Sequence, residues 1–349
     1  MNENKIAFMI CVNNESYYEE CLFYLNRISV PEGFRIEVFA ITEAESIFEA
    51  YNQAMRQSDA KYKIYMHQDV FLIDKTLVKR CIEFFRKHER AGMLGVIGGS
   101  CVPENRRFYK SWDTGYVIAC SEKKAYYNDL LRDTKKVRAV DGMFMMTQYD
   151  LPWREDALTG WDFYDFSQSM EFRKAGFEVW VMGGTDASAF HDCGYLNFCR
   201  YDHALDAFLR EYGKDFPDYS GMPAVYPKDY QKQFAVRMEL TEGLKQLLFL
   251  GHEQEVRQLF EKTEDERFFN TEMAVLKNIL EILEAERSEG IKIKERFLAD
   301  CSSFDEVYIK YQKAKFYLRR KKYAPDDPGT CPKISDVAGQ IIKKHCMPD

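Results

Sequence analysis

KYKIYMHQDVF, residues 61–71, decides the reading of this chain. An apolar run, Ile64-Tyr65-Met66, stops at His67-Gln68-Asp69, and apolar residues resume at once. Read as a buried strand, the segment delivers an imidazole and a carboxylate to its carboxyl end. In open α/β sheets, ligands bind outside that edge. On residue chemistry alone, Asp69 suits two roles: capping a helix that begins near Asp74, or holding a hard divalent cation.

The preceding residues supply the sheet. Ile6–Val12, IAFMICV, has the length and continuous apolarity of a fully buried strand. Asn13-Asn14-Glu15-Ser16 stops it with turn and cap chemistry. Tyr18, Cys21, Leu22, Leu25 and Ile28 recur at helical spacing until Pro31 and Gly33. Ile36, Val38 and Ala40 predict a second strand, Thr42-Glu43 leaves it, and a helix runs through Ala50, Ala54 and Met55. With the segment from Lys61 as third strand, this is β-α-β-α-β, which predicts a parallel, right-handed half-sheet. No Gly-x-Gly-x-x-Gly follows the first strand, so the dinucleotide fingerprint is missing.

Downstream, a helix is expected over Lys75–His88 and a strand over Met93–Ile97, closed by Gly98-Gly99. Ser100–Lys136 reads as an irregular excursion carrying Arg106, Arg107, Tyr109 and Trp112, the kind of long loop that is usually functional. Val137–Val140, Asp141-Gly142 and Met143–Thr147 predict strand, tight turn, strand. Gly160-Trp161-Asp162-Phe163-Tyr164-Asp165 precedes a helix over Phe166–Lys174 that Gly176 ends. Glu178–Met182 is the last expected strand, and a loop from Gly183-Gly184 leads to His191. After Pro227 glycine becomes rare. Amphipathic helices are expected over Leu240–Leu250, Glu255–Glu261, Thr271–Glu286 and Phe304–Lys321. The expected architecture is therefore an α/β domain, residues 1–226, followed by a small all-α domain with an irregular tail, residues 227–349.

Composition narrows the class. The 349 residues are 46% hydrophobic and 30% charged, which excludes a disordered chain. A net charge of −7 argues against a nucleic-acid partner. The ten cysteines are scattered without Cys-x-x-Cys spacing, as expected of reduced thiols in a cytoplasmic protein rather than of disulfides or a zinc site. No signal peptide and no transmembrane segment are read.

Three constellations carry chemistry. Asp69 is a strand-end carboxylate able to hold a cation that bridges phosphates. His191, in Phe-His-Asp-Cys-Gly, can bring an imidazole to the same cation, and carboxylate plus imidazole suits Mn²⁺ at least as well as Mg²⁺. Asp162 and Asp165, flanking aromatics after a Gly-Trp turn, make a sugar platform with a general base.

These pieces, with Cys11-Val12-Asn13-Asn14-Glu15, Ala50-Tyr51-Asn52-Gln53-Ala54-Met55, His67-Gln68-Asp69-Val70 and Asp141-Gly142-Met143-Phe144, carry a resemblance over roughly residues 5–200. The chain resembles family 2-like glycosyltransferases of the GT-A fold, a Rossmann-like, mostly parallel mixed sheet with helices on both faces. It looks closest to a bacterial subgroup, acting in polysaccharide or glycoconjugate synthesis. The resemblance implies inverting transfer of a hexosyl group from a nucleotide-diphosphate donor, a UDP-sugar being favoured, to a hydroxyl of a glycan or glycoconjugate. It implies Mn²⁺ or Mg²⁺ on Asp69 and His191. It puts the donor on Val12, Asn13, Asn14, Glu43, Asn52, Gln68, Asp69, Asp141 and Gly142. Asp165, with Asp162 beside it, would be catalytic, and Trp161 and Tyr164 would meet the acceptor. Arg106 or Arg107 could assist at the diphosphate. His67 and Gln68 stand where an Asp-x-Asp motif has its first two residues. That depletion motivates an alternative: a non-catalytic nucleotide-sugar or glycan-binding module. A homo-oligomer through the helical domain is a further expectation.

Overall fold

The computed structural model describes residues 1–100, 106–121, 125–194, 198, 200–216, 225 and 252–262. The expected helices over Leu240–Leu250, Thr271–Glu286 and Phe304–Lys321, and the boundary at 226/227, lie outside those residues. The helix expected over Glu255–Glu261 is present, as Glu253–Lys262. The unit that bears the site comprises Met1–Ala119, Tyr127–Asp192 and Phe198–Pro227.

Its first strands and helices follow the apolar pattern. They are β1 (Asn2–Cys11), α1 (Glu15–Leu25), β2 (Arg35–Ile41), α2 (Ile47–Gln57) and β3 (Ala60–His67). Strand β1 pairs in parallel with both β2 and β3, so their carboxyl ends share one edge. The stop signal after β1 acts as a cap: Asn14 precedes α1, and its side-chain oxygen accepts from the Tyr17 amide at 3.2 Å. Helix α2 buries Ile47, Phe48, Tyr51 and Met55 on one face. Each such burial stabilises by roughly 1.5–3 kcal/mol.

A two-residue strand β4 (Val70–Phe71) follows, then α3 (Leu77–Lys87) and β5 (Ala91–Gly95). Asp74 serves the start of α3, its carboxylate accepting from the Thr76 amide at 2.8 Å and pairing with Arg80. The next elements are β6 (Ile97–Gly99), β7 (Thr114–Ser121), β8 (Ala125–Asp129), β9 (Lys135–Val137), β10 (Ala139–Val140) and β11 (Phe144–Thr147). The chain then forms α4 (Tyr164–Lys174), β12 (Glu178–Val181), β13 (Phe190–Gly194) and α5 (Tyr201–Tyr212). The helix at Glu253–Lys262 is α6.

The main sheet runs β2-β1-β3-β11-β5-β12-β9. Parallel and antiparallel pairings alternate in blocks along it: β11 is antiparallel to both β3 and β5, and β12 is parallel to β5. The architecture is a mixed α/β sheet. A second sheet runs β10-β6-β7-β13-β4.

That second sheet corrects two expectations. Gly98-Gly99 does not close a strand but lies within β6, between β10 and β7. Any side chain there would collide: a Cβ on Gly98 would come within 2.5 Å of the Ala139 carbonyl oxygen, and one on Gly99 would strike the Ser111 carbonyl. Ser100–Lys136 is not an irregular excursion either. Within it Tyr116, Val117, Ile118 and Ala119 are buried in β7, whose Ile118 amide donates to the Ala189 carbonyl at 3.0 Å.

Candidate functional site

Four backbone features bring the chemistry to one edge. Strand β3 ends at His67, and its amide donates to the Met143 carbonyl at 3.2 Å, which holds the Asp141-Gly142 turn beside it. Strand β13 pairs antiparallel with β4, opposing His191 to Val70. The Asp192 amide donates to the Asp69 carbonyl at 2.9 Å. His191 therefore sits on a strand, not in the expected loop, and the pairing register sets it next to Asp69.

The result is a three-donor cluster. His191 Nε2 lies 3.6 Å and His67 Nδ1 3.9 Å from Asp69 Oδ1. One donor atom from each of His67, Asp69 and His191 falls within 4.8 Å of the others. Burial lowers the pKa of both imidazoles, that of His67 to about 4, so both are neutral at pH 7. Neutral imidazoles beside a carboxylate, beyond hydrogen-bond distance, are the donor set of a divalent cation rather than of an ion pair. The residues present fit a metal. His67 is the donor that the sequence reading did not assign. Its signal was there: His67 closes the apolar run of β3, and Asp69 stands two residues on, in the turn that follows it.

A cleft of about 450 Å³ opens beside the cluster. It is lined by Cys11, Val12 and Asn13 at the end of β1, by Ile41, Glu43 and Ala44 at the end of β2, and by Met66, His67, Gln68 and Asp69 at the end of β3. Helix α2 contributes Ile47 and Tyr51, and the approach to α4 contributes Trp161 and Tyr164. Gln68 organises the loop: its Oε1 accepts from the Asn13 and Asn14 amides at 3.0 and 2.9 Å, and its Nε2 donates to Asn13 Oδ1. Glu43 holds a left-handed backbone, φ +58°.

Trp161, 46% exposed, stands over the cleft because its turn is latched to α2. The Gly160 carbonyl accepts from the Ile47 amide at 3.0 Å, and the Gly160 amide donates to Ser46 Oγ at 3.1 Å. Gly160 has φ +90°, a conformation that favours glycine. The role of Ser46 was not visible in the sequence, since its partner is distant along the chain.

Asp165, in the first turn of α4, accepts from the Gly142 amide at 3.2 Å and from the Phe166 amide at 2.7 Å. Burial, reinforced by the neighbouring Asp141 charge, raises its pKa to about 7. Asp141 is itself raised by burial, with His191 opposing, and its Oδ1 accepts from the Met143 amide at 2.9 Å. Asp162 is half-buried and raised by burial, with Arg200 opposing. Tyr164 is buried, and its hydroxyl meets His67 Nε2.

Two expected contributors lie elsewhere. Asn52 does not line the cleft: it is buried, and both ends of its amide bond the Trp153 backbone at 2.8 Å. Arg106, read as a helper at the diphosphate, is buried and pairs with Asp206 of α5 at 2.7 Å.

A sequence model described as Glycosyltransferase like family matches residues 7–212, more than half of the chain. The chain belongs to this family. No curated protein sequence matches this glycosyltransferase-like chain. Among solved structures it is similar to the mannosyltransferase PcManGT from Pyrobaculum calidifontis, in complex with GDP-Man and Mn2+. The two are 11% identical, with 98% of this chain and 86% of that chain covered and a TM-score of 0.39. The family match spans all the cleft residues and the His67-Asp69-His191 cluster. No helix among the described residues of this family member is long and apolar enough to cross a membrane.

Proposed function

We propose that this chain, a GT-A-type enzyme, transfers a hexosyl group from a nucleoside-diphosphate donor, a UDP-sugar being favoured, to an acceptor hydroxyl of a glycan or glycoconjugate. The observation that carries the reading is the convergence of His67, Asp69 and His191, two of which, His67 and Asp69, line a cleft walled by the ends of β1, β2 and β3. The cleft has the size class of a small-molecule site, and its lining combines apolar Ile41, Ile47 and Met66 with polar Asn13, Glu43 and Gln68.

His67, Asp69 and His191 would hold a divalent cation, Mn²⁺ or Mg²⁺, whose chemistry is neutralisation of charge on a diphosphate. The base and ribose would rest on Val12–Asn14 and Glu43, in a loop that Gln68 keeps in shape. Trp161 offers an exposed aromatic face to the acceptor sugar. Asp165 would take the proton from the acceptor hydroxyl. The oxygen then bonds to the anomeric carbon as that carbon's bond to the diphosphate oxygen breaks, with inversion. A pKa of about 7 suits the task, because a base works best when its pKa lies near the working pH. Asp162 lies at the same helix start and would support the acceptor side.

Release of nucleoside diphosphate from UDP-, GDP- and dTDP-sugars in the presence of Mn²⁺ tests this reading. Turnover of at least one donor, lost in Asp165→Asn, is expected. Donor binding without turnover, whatever acceptor is supplied, would favour the non-catalytic binding module instead.

A further inference from the structure

Tyr164 joins the acceptor-side helix to the metal cluster. It is the first residue of α4, next to Asp165, and only 6% exposed. Its hydroxyl meets Nε2 of His67, while Nδ1 of the same ring faces Asp69. A histidine that gives one nitrogen to a metal needs a partner for the other, which sets tautomer and ring orientation. The phenol is that partner. Its hydroxyl oxygen can accept from Nε2–H.

Gly142 makes the arrangement sterically feasible. A Cβ at this position would overlap the Tyr164 hydroxyl and Cζ and come within 2.6 Å of Cε2. The Gly142 amide is itself held by Asp165. Three separated motifs, His67-Gln68-Asp69, Asp141-Gly142 and Trp161–Asp165, therefore meet at one phenol.

We propose that Tyr164 is a positioning residue for the metal. It accepts from His67 Nε2–H, which leaves the Nδ1 lone pair aimed at the space shared with Asp69 and His191, and Gly142 provides the room for its ring. The inference rests on the cation site proposed above. It adds that the helix carrying the proposed base and the site holding the diphosphate charge are mechanically linked through one hydrogen bond.

The test is Mn²⁺ titration of the purified full chain by electron paramagnetic resonance, with ¹⁴N couplings read from the bound ion. The wild type is expected to bind Mn²⁺ with two imidazole nitrogens coupled. Tyr164→Phe keeps the ring and its packing near Tyr51 and Trp153 but removes the acceptor. It is expected to weaken Mn²⁺ roughly 10- to 100-fold and to alter one of the two nitrogen couplings. Gly142→Ala, which displaces the phenol, is expected to shift both readouts in the same direction. Should Gly142→Ala fail to fold, Tyr164→Phe still decides the question. Equal Mn²⁺ affinity and identical couplings in Tyr164→Phe and wild type would overturn the positioning role and leave the cation site standing. No Mn²⁺ binding by the wild type would overturn both.

Discussion

The two ends of β3 place charged and ionisable groups under opposite regimes. Toward its start, Lys63 is fully buried, yet its ammonium donates to both carboxylate oxygens of Asp150 at 2.8 Å and to the Ala60 carbonyl at 2.7 Å. The protein supplies every partner that this cation needs. At its end, His67, Asp69 and His191 are partly exposed and gather around a common space at 3.6 to 3.9 Å, too far to satisfy one another directly. A buried charge completed from within serves the fold. Donors assembled at a cleft, with separations longer than a hydrogen bond, are arranged for something from outside.

The largest effect is expected at the open end. Asp165→Asn should lower kcat roughly a hundred- to ten-thousand-fold, the usual contribution of a positioned general base, as measured by nucleoside diphosphate release. Its titration sharpens the point. The carboxylate is protonated and idle below a pKa of about 7, so wild-type activity should rise as pH rises through that value and then level off. The sign for stability is opposite. A carboxylate whose pKa is raised on folding contributes stability that is fully present below the unfolded value and lost as pH rises through the folded one. Asp165→Asn should therefore raise Tm at pH 8 and leave it little changed at pH 4. An unchanged Tm at pH 8 would count against the raised pKa.

Next in size is the closed end. Asp150→Ala strands a buried ammonium and should cost roughly 3–5 kcal/mol in urea unfolding. Lys63→Met removes the charge with the need for a partner and should cost clearly less. If the two cost the same, the pair is not held as described. His67→Ala removes one of the three donors and should weaken Mn²⁺ at least about 10-fold in the electron paramagnetic resonance titration. The smallest effect belongs to Trp161→Ala. Loss of an exposed aromatic face should raise the acceptor KM about 2- to 10-fold and leave Mn²⁺ affinity unchanged.

The same contrast explains what could be read from the chain. The β-α-β-α-β start was legible because Ile6–Val12 and Ile64–Met66 are apolar runs whose partners lie close along the sequence. Strand β7 was not: it pairs with its sequence neighbour β8, but its places beside β6 and β13 are set by the second sheet, and no local pattern announces those pairings. Gly98-Gly99 looked like a stop signal because glycine weakens a strand, and the same residue also marks close approach of another backbone. At the site, Asp69 and His191 were legible as isolated ligand types and Asp165 as a base candidate. His67 was read as a missing aspartate rather than as a donor in its own right. Asn52 and Arg106 carried plausible functional groups, but their distant partners, Trp153 and Asp206, could be seen only in three dimensions.

On the proposed function, the carboxyl end of β3 receives a cation and a nucleoside diphosphate together. Calorimetric titration of UDP, GDP and dTDP, each with and without Mn²⁺, tests it most directly. At least one of them is expected to bind markedly tighter with Mn²⁺, and Asp69→Ala to remove the difference. Binding that is indifferent to Mn²⁺, or a metal effect that survives in Asp69→Ala, would contradict it.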